Sequence, residues 1–117
     1  MTLDSVDGDL ERYMTLLSER QELVSSNIAN ADTPGYKTKD IDFQSALDDL
    51  MTQGADVHPS VIDVPGLVVK DDGNNVNLDR EARLLSENAL RFSVASNLLK
   101  SDLQTVKMAI EGGSAQS

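Results

Sequence analysis

The sequence predicts a mostly α fold: two long terminal helices pairing as a coiled-coil-like bundle, with a connector loop and a small β-hairpin between them. Three observations predict it. Leu78, Ala82, Leu85, Ala89, Phe92, Ser96, Leu99, Leu103, Val106 and Ile110 follow one another at alternating steps of four and three, and only Ser96 breaks the stripe. A heptad seam sustained over this length is a strong helix signal. Leu10, Met14, Leu17, Gln21, Val24, Ile28 and Ala31 repeat the progression near the amino terminus, with Gln21 the exception. Finally, hydrophobic content is an ordinary 39%, but there is no Trp and aromatics make up only 3%. Leu, Val, Ile, Ala and Met supply the rest, a mix suited to helices packed side by side.

Taken in order, the first helical segment covers residues 1–32, starting between Asp4 and Asp9 and ending before Pro34. The stretch SSNIANADTPGYK, residues 25–37, stops it several times over. Asn27, Asn30 and Asp32 compete for backbone hydrogen bonds. Thr33 is pushed out of the α region by Pro34. Gly35 permits the positive φ of a tight turn, just before Tyr36. One or two such residues suffice to end a helix, so the run reads either as a plain stop or as a shaped turn presented to something.

The connector spans 33–77. Residues 41–51, IDFQSALDDLM, form a short helix or an extended segment, and the proline- and glycine-containing run to Gly66 reads as loop. Leu67, Val68 and Val69 form one arm of a small hairpin, followed by an Asp-Gly turn and by Val76 leading into the last helix. That helix covers 78–113, with Asp79 and Glu81 in its first turn and Gly112-Gly113 closing it. Residues 114–117 are a tail, and the whole of 1–117 is one domain.

Two helices cover only one side of each other. Leu16 and Leu23 lie off the first seam, and Leu84, Leu90, Val94 and Leu98 off the second, so more apolar surface exists than one partner covers. This reads as demand for neighbouring chains, with frayed terminal helices in isolation. An ordinary helical hairpin core is the alternative that spacing alone leaves open.

The formal charge is −10: residues 1–36 hold seven acids and two bases, 37–74 eight and three, and 75–117 five of each. Such a chain is repelled by nucleic acid and by anionic membrane surfaces. No apolar run approaches the ~20 residues of a membrane span. The acidic amino end has neither a basic n-region nor an apolar h-region, so export without a cleaved Sec signal is expected. With no cysteine, there is no disulfide framework or thiol chemistry.

No nucleophile, zinc or phosphate-loop motif occurs. His58 sits before a proline without a second His or Cys and reads as a solvent-exposed spectator. In DDGNN, placing the glycine at the sixth position of a calcium loop puts Val68 where the first oxygen ligand belongs, so turn chemistry is preferred. No enzyme activity, catalytic residue, metal or cofactor is expected, and no small-molecule substrate.

Residues Arg20 to Leu47, RQELVSSNIANADTPGYKTKDIDFQSAL, closely resemble the amino-terminal signature of bacterial flagellar rod and hook proteins, built around Asn-x-x-Asn-x-x-Thr-Pro-Gly-Tyr. Asn30 to Tyr36 is uninterrupted, and Ile41 to Phe43 and residues 72–81, DGNNVNLDRE, also match proximal rod members. The resemblance covers most of the chain except the loop near 48–66. It implies an inner coiled-coil domain made of the terminal helices and stacked into the rod that transmits motor torque.

As assembly turn the resemblance marks Asn27, Asn30, Thr33, Pro34, Gly35 and Tyr36, contacting adjacent subunits. As seam packing the heptads mark Leu10, Met14, Leu17, Val24, Ile28, Leu85, Phe92, Leu99, Leu103, Val106 and Ile110. Implied partners are copies of the chain itself, other rod proteins (FlgC, FlgF and the distal rod), the adaptor FliE between rod and MS ring, and the flagellar type III export apparatus. The implied location is the periplasm-spanning rod of the basal body. Two rivals are a soluble helical-hairpin adaptor in the cytoplasm, which leaves the Asn/Pro/Gly run arbitrary, and a small hydrolase using loop aspartates, which has no motif behind it.

Overall fold

A computed structural model describes residues 3–53 and 59–115. Helix α1 runs Leu3–Ala29, strand β1 Lys39–Ile41, helix α2 Phe43–Gln53, strand β2 Val61–Asp63 and helix α3 Leu78–Ala115. Helices α1 and α3 lie antiparallel, since Asn27 meets Glu81, Gln21 meets Asn88 and Tyr13 meets Arg91. The molecule measures 73 × 24 × 15 Å. At ~1.5 Å per residue α3 is roughly 57 Å long and α1 roughly 40 Å, so the carboxyl end of α3 outruns its partner.

Local chemistry sets the ends of these helices. Asn77 caps α3 by accepting from the Arg80 amide at 3.1 Å, and Asp42 caps α2 by accepting from Ser45 at 3.3 Å. Such caps stabilise a helix by about 1 kcal/mol. At the other end of α1, the Asn30 amide reaches the Ser26 and Asn27 carbonyls, and its side chain also donates to Ser26 O at 2.8 Å. These bonds satisfy carbonyls that the helix leaves without partners.

The apolar core is small. Leu16 and Leu17 of α1 meet Ile41, Phe43 and Ala46, flanked by Tyr13, Leu23 and Leu47. Tyr13 packs edge-on to Phe43 at 6.3 Å, while the Arg20 and Arg91 guanidiniums lie 4.8 and 5.5 Å from its ring centre. Cations over an aromatic face add about 0.5–1 kcal/mol each at exposed sites. Truncating a fully buried leucine such as Leu17 would cost about 2–5 kcal/mol.

Three details differ from the sequence reading. First, the expected α3 seam is only partly covered: Leu99 and Val106 are half-buried, and Phe92 lines an open groove beside Leu17 of α1. The face turned inward carries Glu81, Leu84, Asn88 and Ala95, all buried, while Leu85 is 40% exposed, Phe92 39%, Leu103 55% and Ile110 65%. One residue is ~100° around a helix, so much of the apolar stripe is turned toward the outside. Polar pairing of Asn27 and Gln21 with Glu81 and Asn88 sets that rotation. On α1, Leu17 and Val24 are buried and Leu10 and Met14 half-buried, whereas Ile28 is exposed and Leu16, off the seam, is core.

Second, the Asp-Gly turn forms, with Gly73 donating to Lys70 O at 2.9 Å, but residues 67–69 and Val76 build no ladder. The two-stranded sheet instead pairs β1 with β2, Lys39 opposite Asp63 and Ile41 opposite Val61. Lys70 N still reaches Asn74 O across the turn at 2.8 Å, but the next residue, Asn75, turns its backbone to Tyr36 O and the Thr38 hydroxyl, so the arms part after one rung. Third, Gly112 and Gly113 do not end α3, which continues to Ala115. Within 41–51, the helical alternative is the one adopted, from Phe43 onward. His58 lies outside the described residues.

Candidate functional site

The signature residues converge on a buried polar latch where the end of α1, the connector and the start of α3 meet. Thr33, Pro34, Gly35 and Tyr36 form a β-turn closed by Tyr36 N donating to Thr33 O at 3.2 Å, with Gly35 at φ 76°. Proline at the second position and a positive-φ residue at the third are the demands of a type II turn. The turn brings the Tyr36 hydroxyl back onto α1, where it donates to Asn27 Oδ1 at 3.0 Å and lies 3.3 Å from Ser26 Oγ.

Asn27 has no exposed surface. Its amide is fully used: Nδ2 donates to Lys39 O at 2.8 Å and Glu81 Oε2 at 3.2 Å, and Oδ1 accepts from Lys39 N at 3.0 Å and from Tyr36. Two donors and two acceptor sites are all that a side-chain amide owns. By bonding both backbone groups of Lys39, Asn27 stands in for a neighbouring strand and fixes where β1 begins.

The connector closes over this from the other side. Asn74 Nδ2 donates to Asn30 O at 2.9 Å and Thr33 O at 2.8 Å, and its Oδ1 accepts from Val76 N at 2.8 Å. Asn75 Oδ1 accepts from the Thr38 amide at 2.7 Å and the Thr38 hydroxyl at 2.8 Å. Gly35 N donates to Asp72 O at 2.9 Å. A Cβ on Gly73, which sits at φ 87°, would lie 3.3 Å from Gly35 Cα, so the two chain segments touch at their glycines.

Beside Asn27 lies a four-charge cluster. Asp40 accepts from Arg20 through both carboxylate oxygens, at 3.2 and 3.1 Å, and from Arg80 Nη2 at 2.6 Å; Ile41 N adds a fourth bond. Arg80 Nη1 also donates to Glu81 Oε1 at 2.6 Å. Two bases and two acids sum to zero, and the planar fork of arginine suits this shared, partly buried geometry. Asp40 takes four donors on its two oxygens and Glu81 one on each, so the cluster ties α1, β1 and α3 together. Among the described residues, no group of three or more His, Cys, Asp or Glu is placed to hold a metal ion. No helix of those residues is long and apolar enough to cross a membrane.

Of the turn residues expected to face a neighbour, Asn27 is inside the chain's own fold, Tyr36 is half-buried against it, and Asn30 is half-buried. Thr33, Pro34 and Gly35 are exposed. Sequence reasoning missed Arg20, Thr38, Asp40, Asn74, Asn75, Arg80 and Glu81 as members of the site. One signal was present: two adjacent asparagines after Asp72-Gly73 supply more side-chain amides than a turn alone consumes.

The family described as "Flagella basal body rod protein" matches residues 14–37, the stretch that carries α1's second half and the turn. Over nearly its whole length the chain is similar to the flagellar basal body rod protein FlgB of Salmonella typhimurium, 32% identical across 95% of this chain and 99% of the relative. It is similar to FlgB of Escherichia coli at 30% identity with the same coverage. FlgB of Borrelia hermsii is 28% identical across 95% of this chain and all of the relative. The chain therefore belongs to the FlgB family of flagellar basal body rod proteins.

Proposed function

We propose that the chain is a structural subunit of the proximal rod of the flagellar basal body, assembling with copies of itself and with other rod proteins into the shaft that carries motor torque. The observation carrying this reading is the outward heptad stripe of α3: Leu85, Phe92, Leu103 and Ile110 stand exposed in the single chain. A strict 3.5-residue apolar repeat suits another helix. FlgC, FlgF, distal rod proteins and the adaptor FliE are the neighbours this role implies, and the flagellar export apparatus is its route to the periplasm-spanning rod. Thr33, Pro34 and Gly35 offer an exposed turn surface to such neighbours, while Asn27 and Tyr36 hold that turn in place. The role calls for no catalysis. A cytoplasmic adaptor reading gains no support from the latch and leaves the likeness to rod proteins unaccounted for.

Two substitutions test the reading. Leu103→Asp alters an exposed position and is expected to leave folding intact by circular dichroism yet to keep the protein out of purified basal bodies. Leu17→Asp, at a position 1% exposed, is expected to unfold the chain itself, since a buried unpaired charge costs several kcal/mol. Wild-type incorporation and swimming with Leu103→Asp would refute the stripe's role.

A further inference from the structure

One side of the α1–α3 pair forms an open groove lined by Leu17, Ser18, Glu22, Asn88, Ala89 and Phe92. Its apolar wall belongs to the uncovered stripe of α3. Its polar wall is incomplete: Asn88 is buried and donates to Gln21 Oε1 at 3.3 Å, while its own Oδ1 has no hydrogen-bond partner among the described residues. A buried acceptor left unpaired is unfavourable. Glu22 stands exposed on the rim and makes no ion pair among the described residues.

Further along α3, a second patch presents Ser96, Leu99, Lys100, Leu103, Gln104 and Lys107 on one helical face. Lys100 and Lys107 are exposed, and the one ion pair of Lys107 among the described residues is to Glu111, 3.9 Å away with both groups mostly in solvent. Such a pair is weak. The patch is therefore the complement of the groove: leucines for its apolar wall, and lysines both for its acidic rim and as donors to the unpaired Asn88 oxygen. The two patches lie on one continuous helix, about ten residues or ~15 Å apart, and cannot reach each other within a chain.

We propose that the 96–107 face of α3 in a second copy seats in the α1–α3 groove, its leucines on Phe92 and Ala89 and a lysine at Glu22. This rests on the rod-subunit reading and names the surfaces that mate. Because the two surfaces differ, the contact is head-to-tail. A head-to-tail contact propagates when its rotation does not close.

The chain contains no cysteine, so paired cysteines report the contact directly. Ser18→Cys and Gln104→Cys both alter exposed positions and are expected to leave folding unchanged. In basal bodies from cells whose sole copy carries both substitutions, oxidation is expected to give a ladder of dimers, trimers and longer species. Either substitution alone should give no cross-link, and co-expression of the two single variants should give dimers only. Dimers from one single variant would reveal a like-with-like contact and overturn the proposal. A double variant that is present in basal bodies yet forms no cross-link would overturn the head-to-tail contact while leaving the rod-subunit reading standing. Absence of the wild-type chain from basal bodies would overturn both.

Discussion

Replacing Asn27 by Asp changes almost nothing in shape and inverts half of the hydrogen bonding. The new carboxylate still accepts from Lys39 N and Tyr36, but its second oxygen faces Lys39 O and Glu81 Oε2, the two acceptors to which Nδ2 donates at 2.8 and 3.2 Å. Loss of a neutral bond contributes about 1 kcal/mol and of a charge-assisted one about 1.5–3, so a cost of about 2.5–4 kcal/mol is expected before any repulsion between the carboxylates. Against a total stability of about 5–15 kcal/mol this is large. In urea unfolding followed by far-UV circular dichroism, it should lower the midpoint by about 2 M at an m-value in the usual 1–3 kcal/mol/M range. Adding Glu81→Gln should return part of the loss, because a glutamine can give its amide protons to the new carboxylate and its oxygen to Arg80. A coupling of about 1–3 kcal/mol is expected from the double-mutant cycle. A midpoint for Asn27→Asp within ~0.5 M of the parent, or a double variant weaker than the single, would refute the four-valence account of Asn27.

Asp40→Asn removes the charge shared by Arg20 and Arg80 and should cost about 3–5 kcal/mol, as breaking a buried pair does; an unchanged melting temperature would count against the cluster. Gly73→Ala should destabilise more than Gly66→Ala: both sit at positive φ, 87° and 79°, but only at Gly73 does the added carbon meet a backbone atom, Gly35 Cα. Equal losses of about 1 kcal/mol in thermal melts would show that left-handed strain alone matters. In hydrogen exchange of the isolated chain, protection should be highest across residues 16–27 and 81–95 and fall toward Ala115, where α1 no longer lies alongside. Uniform protection along α3 would contradict that gradient.

The two long helices were legible because their signals are local: Pro34 and the asparagines before it stop one, Asp79 and Glu81 mark the first turn of the other, and apolar spacing fills both. Which face of α3 turns inward was not legible. Spacing reports that a stripe exists, and the most regular stripe is the one this chain leaves outward. The inward face carries Glu81 and Asn88, which read as surface residues until partners 54 and 67 positions away are known. The strands were hidden for a similar reason: three-residue β1 and β2 have little pattern of their own, and Asn27 decides where β1 starts. The glycine pair at 112–113 misled because glycine weakens a helix by only about 1 kcal/mol and ends it only when a turn takes over.

The charge cluster has a mechanical consequence. Sliding α3 along α1 by one turn, ~5.4 Å, would part Arg80 and Glu81 from Asp40 and Asn27 at once and strand charges away from water. Leucines facing leucines tolerate such a slip far better, since one apolar contact replaces another. The bundle is thus pinned at one end and greased along its length. Axial shear on α3 is therefore expected to be resisted chiefly at the pin, with lesser help from the Gln21–Asn88 and Tyr13–Arg91 contacts further along.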